Sequence, residues 1–389
     1  MKSLACALLL ALASCGVNAT QSGPGWPGEA WPVSTPEAEG VNAAAIDSLI
    51  ADIDAGRYGY IDSFLLIRNG RVIADRSWDR SDDYARILAE ADDTALHQYN
   101  YDHPTWHPFY RGTRLHSLQS VTKSVMSIAF GIAVDEGRIP GPDAPVWPYF
   151  EDYGVDLSDS LRAETTIEDF LTMRSGIEWA RPGQGYADGS HPTIEMEMSD
   201  RWIEYVLSKP VTTEPGTDFD YNDGVSVLLG KIVRETTGQR LDHWTDERLF
   251  TPIGIDEFYW KETPTGETDS EGGLYLTTHD LARVAYLMLR GGEWDGRRIV
   301  SREWVEASTA PAIPDLVPNN DRPDTGYGYQ WWVPYSATKI FAGNGYGGQF
   351  VHIVPEYDLI SVFNGWTIRD ATEMSSWTAL QERILPAVR

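Results

Sequence analysis

At 389 residues, 42% hydrophobic and 12% aromatic, the chain has the composition of a globular protein with a large core, which excludes a disordered or fibrous one. Its 58 acidic against 31 basic side chains give a formal net charge of -27, which repels phosphate backbones and argues against nucleic-acid binding. The charge fits a solvated, salt-tolerant surface better than an acidic recognition patch.

Residues 1–19 begin with Lys2, continue through an apolar run of about ten residues and end in small residues, the pattern of an export signal too short to span a membrane. Leu12-Ala13-Ser14-Cys15 is similar to a bacterial lipobox, in which Cys15 would be lipidated; cleavage after Ala19 is the alternative. Either predicts an exported, periplasmic protein, and the first a membrane-anchored lipoprotein. Cys6 and Cys15 are the only cysteines, so no intrachain disulfide is expected in the mature fold.

Residues 20–40 are rich in Gly, Pro and Ser and read as a tether and a loop leading into the fold. Val41 to Ile53 has apolar residues at helical spacing. Phe64 to Trp78 reads as two strands around Asn69-Gly70, the signal of a type I′ hairpin. Residues 80–115 are irregular. Residues 116–265 look mostly helical, and Leu281 to Arg290 is a further short helix. "QFVHIVPEYDLISVFNGW" reads as strand, turn and strand, followed by a helix over 372–386. Strands at both ends with helices between them predict an α+β fold. An antiparallel sheet would form from 41–115 and 266–389, with 116–265 as an inserted helical part.

Candidate chemistry begins at Ser120-Val121-Thr122-Lys123. On a helix, residues three apart share a face, and a first-turn serine keeps an unbonded backbone N–H. One short stretch can therefore present a nucleophile, an amine to take its proton and an oxyanion donor. The apolar residues that follow would bury the helix and lower the lysine pKa by desolvation. The competing reading is a capping serine followed by a solvated lysine. A second copy, Ser336-Ala337-Thr338-Lys339, has no helical context and reads as a turn. Tyr221-Asn222-Asp223 follows a Pro-Gly turn and precedes another helix; a tyrosine acidified by a lysine can exchange protons with a serine. Gly343-Asn344-Gly345 precedes the C-terminal hairpin, where glycines let a strand approach a substrate. His97, His103 and His107 match no zinc spacing, and neither a metal nor another cofactor is expected.

In order and spacing, these segments resemble the serine hydrolases related to class C β-lactamases and DD-peptidases, with their S-x-x-K, Y-x-N and K-T-G motifs. "HSLQSVTKSVMSIAFGIAVDEG", "LTMRSGIEW", "EPGTDFDYNDGVSVLLG", "EGGLYLTTHDLARVAYLML" and "YGYQWW" resemble the esterase and 6-aminohexanoate-dimer hydrolase branch. The resemblance covers about residues 30–389 and implies a β-lactamase-like fold. It implies Ser120 as nucleophile, Lys123 as base and Tyr221 as proton shuttle, with backbone N–H groups of Ser120 and Tyr346 as oxyanion hole. Asp223, Asn344, Gly345, Trp331 and Trp332 become candidates for contact with a small ester or amide substrate. Two departures stand out: Asp223 replaces the usual asparagine of Y-x-N, and Gly343 replaces the lysine of K-T-G. Both argue against penicillin recognition. The rival reading is an idle relative that binds a ligand or peptidoglycan fragment.

Overall fold

A seven-stranded antiparallel sheet joins the two ends of the chain, as the placement of strand-like segments predicts. The computed structural model describes residues 25–80, 82, 113–181, 183–186, 189–312, 325–365 and 374–389. Residues 1–19, expected to be an export signal and including Cys15, and His97, His103 and His107 lie outside the described residues.

The N-terminal side contributes β1 (Ile61–Arg68) and β2 (Arg71–Ser77), joined at Asn69 and Gly70 with φ of 53° and 71°, as a type I′ turn requires. Three short strands, β3 (His116–Ser117), β4 (Tyr259–Trp260) and β5 (Leu274–Leu276), form a separate sheet in the order β3-β5-β4. A small hairpin follows, β6 (Glu293–Trp294) with β7 (Arg297–Arg298). The C-terminal side supplies β8 (Thr325–Tyr327), β9 (Trp332–Pro334), β10 (Phe341–Gly345), β11 (Gln349–Val354) and β12 (Leu359–Gly365). The large sheet runs β2-β1-β12-β11-β10-β9-β8, so the two chain ends meet at the β1–β12 pair.

Both faces of this sheet are covered. In β1, Phe64 and Leu66 pack with helix α1 (Ala43–Asp54) and the C-terminal helical turns from Ser376 to Ala387. Leu65 and Ile67 face the larger core on the other side, which explains the unbroken apolar run Phe64 to Ile67. That core contains α2 (Val121–Asp135), α4 (Asp223–Thr237) and α5 (Thr278–Leu289), with the short α3 (Pro192–Met198) beside α4. Ser336-Ala337-Thr338-Lys339 is a non-helical connection between β9 and β10, and Lys339 donates to Thr309 Oγ1 at 3.2 Å.

His352 on β11 is fully buried, with Nδ1 3.0 Å from Ser361 Oγ and its ring 4.6 Å from that of Trp377. Burial pushes its pKa down to about 3. The unfolded chain therefore takes up the proton first, near pH 6.5, and stability falls as pH drops from there towards 3. This one group should cost about 2 kcal/mol between pH 7 and pH 5. In urea unfolding, His352→Leu should lose that much of the wild-type difference between the two pH values. An unchanged pH dependence would contradict it.

Candidate active site

Ser120 sits at the turn from β3 into α2. Gln119, just before it, is buried at a φ of 49°, a left-handed conformation that non-glycine residues adopt only under constraint. Ser120 itself has helical φ and ψ, and its hydroxyl does not cap the helix. Instead Oγ accepts a hydrogen bond from Lys123 Nζ at 3.0 Å, and the Tyr221 ring stands 5.3 Å from the same ammonium. The two side chains are thus brought together as the sequence predicts, and the capping-serine alternative is removed.

Lys123 is completely buried, where the sequence predicts a desolvated amine. The consequence is opposite to the expected one. Burial pulls its pKa down, but Asp223, Tyr221 and Glu271 outweigh that pull and hold the ammonium well above its ordinary value. Nζ lies 2.7 Å from Asp223 Oδ1 and 3.2 Å from Glu271 Oε2, and donates to the Glu271 carbonyl at 2.7 Å. A buried ammonium between two carboxylates keeps its proton. Lys123 is therefore a cation at rest and not a ready base.

Asp223 also needs correcting. Proposed as a substrate contact, it is 1% exposed. Its Oδ2 accepts from Thr193 Oγ1 at 2.5 Å and Tyr186 Oη at 2.9 Å, which leaves it holding Lys123 and not facing a substrate. Asn222 caps α4 through the N–H of Val225 at 3.1 Å and so sets both neighbours in place.

The Tyr221 ring stacks on Trp332, with centroids 5.6 Å apart and planes at 16°, and Lys123 Nζ stands 5.3 Å from its centroid. Burial raises the Tyr221 pKa against the opposing pull of Lys123. The acidified tyrosine expected from the sequence is thus not what the surroundings produce. Trp331 precedes β9 and Trp332 opens it, and their rings meet different partners. Trp332 lines the Tyr221 side, whereas Trp331 is 1% exposed and packs on Phe341, so Trp331 is a core residue and not a substrate contact.

The third motif lies against the start of α2. A Cβ on Gly343 would meet Val121 Cγ1 at 3.0 Å and Ser124 Oγ at 3.3 Å. One on Gly345 would meet the Leu118 carbonyl oxygen at 2.3 Å. Position 345 needs glycine because β10 presses on the nucleophile turn, and position 343 is tight against side chains of α2. Asn344 pairs with Phe350, on the opposite face of the strand. Tyr346 follows β10, and its ring stands edge-on to Tyr186 at 5.7 Å.

The Beta-lactamase family model matches residues 46–372. The chain belongs to the Beta-lactamase family. It is a serine hydrolase of that fold, as the ordered motifs predict. It is 29% identical over 289 residues to the 6-aminohexanoate-dimer hydrolase of Paenarthrobacter ureafaciens, covering 69% of this chain and 70% of that one. Solved structures share the fold, and two of them illustrate it. A family VIII carboxylesterase superposes with a TM-score of 0.62 at 16% identity, covering 92% and 98% of the two chains. The octameric penicillin-binding protein homologue from Pyrococcus abyssi gives 0.61 at 18% identity, covering 89% and 78%.

Within this family frame, sequence reasoning missed the groups around Lys123: Glu271, Glu197, Thr193 and Tyr186. Glu271 had a weak signal, since it opens "EGGLYLTTHD", a segment noted only for its resemblance. Among the described residues no group of three or more acidic, histidine or cysteine side chains could hold a metal.

Proposed function

We propose that the protein is an exported hydrolase that cleaves an ester or amide bond through an acyl intermediate on Ser120. The observation that carries this reading is the Ser120 hydroxyl held by Lys123 at 3.0 Å, with the Tyr221 ring 5.3 Å from the same ammonium. A serine so placed can attack a carbonyl carbon and return its proton to a leaving alcohol or amine. The tight approach of Gly345 to Leu118 puts the strand leading to Tyr346 beside the start of α2. This supports an oxyanion hole formed from the N–H groups of Ser120 and Tyr346. Export, with lipidation at Cys15, is inferred from the N-terminal sequence; fractionation of expressing cells checks it.

The substrate class follows from charge. Gly343 supplies no cation, Lys339 is bonded to Thr309, and the Lys123 charge is taken up by Asp223 and Glu271. A carboxylate entering the cleft would lose hydration without gaining a counter-ion. Asp223, itself neutralised by Lys123, adds no repulsion. Neutral short-chain esters or amides should therefore exceed benzylpenicillin in kcat/KM by at least ~100-fold, about 2.7 kcal/mol of transition-state binding. Parallel kinetics on p-nitrophenyl butyrate, a neutral amide and benzylpenicillin, with intact-mass detection of the acyl-enzyme, test both parts. Efficient penicillin hydrolysis would overturn the substrate class, and no acylation of Ser120 by any of them would overturn the function.

A further inference from the structure

Behind Lys123 lies a second pair of acids that the proposed reaction has not yet used. Glu271 Oε2 is 3.2 Å from Lys123 Nζ, and the buried carboxyl of Glu197 on α3 acts on that of Glu271. Glu197 is 8% exposed and Glu271 2%. Oε1 of each is buried and meets no N–H or O–H donor from any other described residue. Two buried carboxyl groups that raise each other do not both ionise, so one of them keeps a proton. The structure thus stores one proton site next to the catalytic ammonium.

From this geometry we propose that the Glu271–Glu197 pair is the proton acceptor that lets Lys123 serve Ser120. The proposal rests on the reading of Ser120 as the acylated nucleophile. As Ser120 Oγ bonds to the carbonyl carbon, its proton passes to Lys123 Nζ, and Lys123 releases one of its own to Glu271 Oε2. One O–H bond and one N–H bond break, and one N–H bond and one O–H bond form. Lys123 remains an ammonium, and the negative charge of the carboxyl pair moves to the oxyanion of the adduct. The reverse transfer delivers the proton to the leaving group. A lysine held as a cation by Asp223 could not accept the serine proton alone, and this relay removes that difficulty.

The groups facing Glu271 come from several elements. Lys123 projects from α2, Asp223 from α4 and Glu197 from α3. Asp269, in the same loop, accepts the N–H of Glu271 at 3.3 Å and that of Gly272 at 3.1 Å. Its other oxygen is 3.3 Å from Lys261, just beyond β4. Burial pushes Glu271 up to about 7 against the pull of Lys123, with Asp269 and Asp223 adding to the rise. Glu197 is pushed further, chiefly by burial and by Glu271, and remains the protonated partner. The relay works only when Glu271 is ionised, so acylation should rise with pH through about 7. Asp220 is also pushed to about 7 by burial, and it is the control because it stands next to Tyr221.

The test is single-turnover acylation by p-nitrophenyl acetate across pH 5.5 to 9. Glu271→Gln should slow acylation at pH 8 by at least ~10-fold and erase the limb near pH 7. Asp220→Asn should keep that limb. Glu197→Leu removes the partner but leaves Glu271, and should move the limb to higher pH. An intact limb in Glu271→Gln, its loss in Asp220→Asn or an unmoved limb in Glu197→Leu would overturn the relay. If Glu271→Gln does not fold, the Glu197→Leu limb decides alone. Intact-mass mapping separates the two levels: wild-type protein not acetylated on Ser120 defeats the reading of the site itself.

Discussion

Replacing either Ser120 or Lys123 with alanine should lower turnover by at least ~10³-fold, the loss expected when a member of a catalytic unit is removed. The two act through one hydrogen bond of 3.0 Å, so the double variant should be scarcely slower than either single one. Ser120→Ala removes only a hydroxyl that caps nothing, and the fold should be unaffected. Lys123→Ala leaves Asp223 and Glu271 facing each other without their cation, so its thermal unfolding is measured alongside the kinetics. Ser336→Ala, in the connection between β9 and β10, should stay within a few-fold of wild type. Near-normal turnover in Lys123→Ala, or a large loss in Ser336→Ala, would mean that the wrong Ser-x-x-Lys copy was chosen.

The choice between those copies was legible because helix context is local. The small apolar residues from Val121 to Ala133 specify a buried helix, and no such run follows Ser336. The sheet was legible for the same reason: the alternating and unbroken apolar runs of β1, β11 and β12 are short-range patterns, and so is the Asn69-Gly70 turn. The electrostatics of the site were not legible. Burial of Lys123 could be read from its neighbours in sequence, but the sign of its pKa shift depends on Asp223 and Glu271, which lie 100 and 148 residues away. Desolvation and a paired carboxylate act in opposite directions, and only the fold decides which is larger. The expectation for Trp331 failed for a simpler reason. A two-residue aromatic pair at a strand gives no sign of which ring faces the core.

Asp223 is the position where the departure from the family's Y-x-N pattern can be tested for its structural meaning. Its carboxylate is buried and bonded to Lys123 at 2.7 Å, Thr193 at 2.5 Å and Tyr186 at 2.9 Å. Burial pulls Asp223 up and Lys123 down, yet their contact leaves Asp223 below its ordinary value and Lys123 above its own. The sign of the pH dependence follows. The contribution of Asp223 is complete above about pH 3.9 and is lost as pH falls through its lowered folded value. That of Lys123 is complete below about pH 10.4 and is lost as pH rises towards its raised folded value. Between these limits the pair is fully charged. Asp223→Ala should therefore lower unfolding stability at pH 7 by about 3 to 5 kcal/mol, the cost of leaving one partner of a buried pair uncompensated. Asp223→Asn keeps the shape and one acceptor oxygen and should fall between the two. Urea unfolding of the three proteins at pH 7 reads the effect directly. A loss below about 1 kcal/mol in Asp223→Ala would place Asp223 among ordinary surface ion pairs and remove it as the anchor of Lys123.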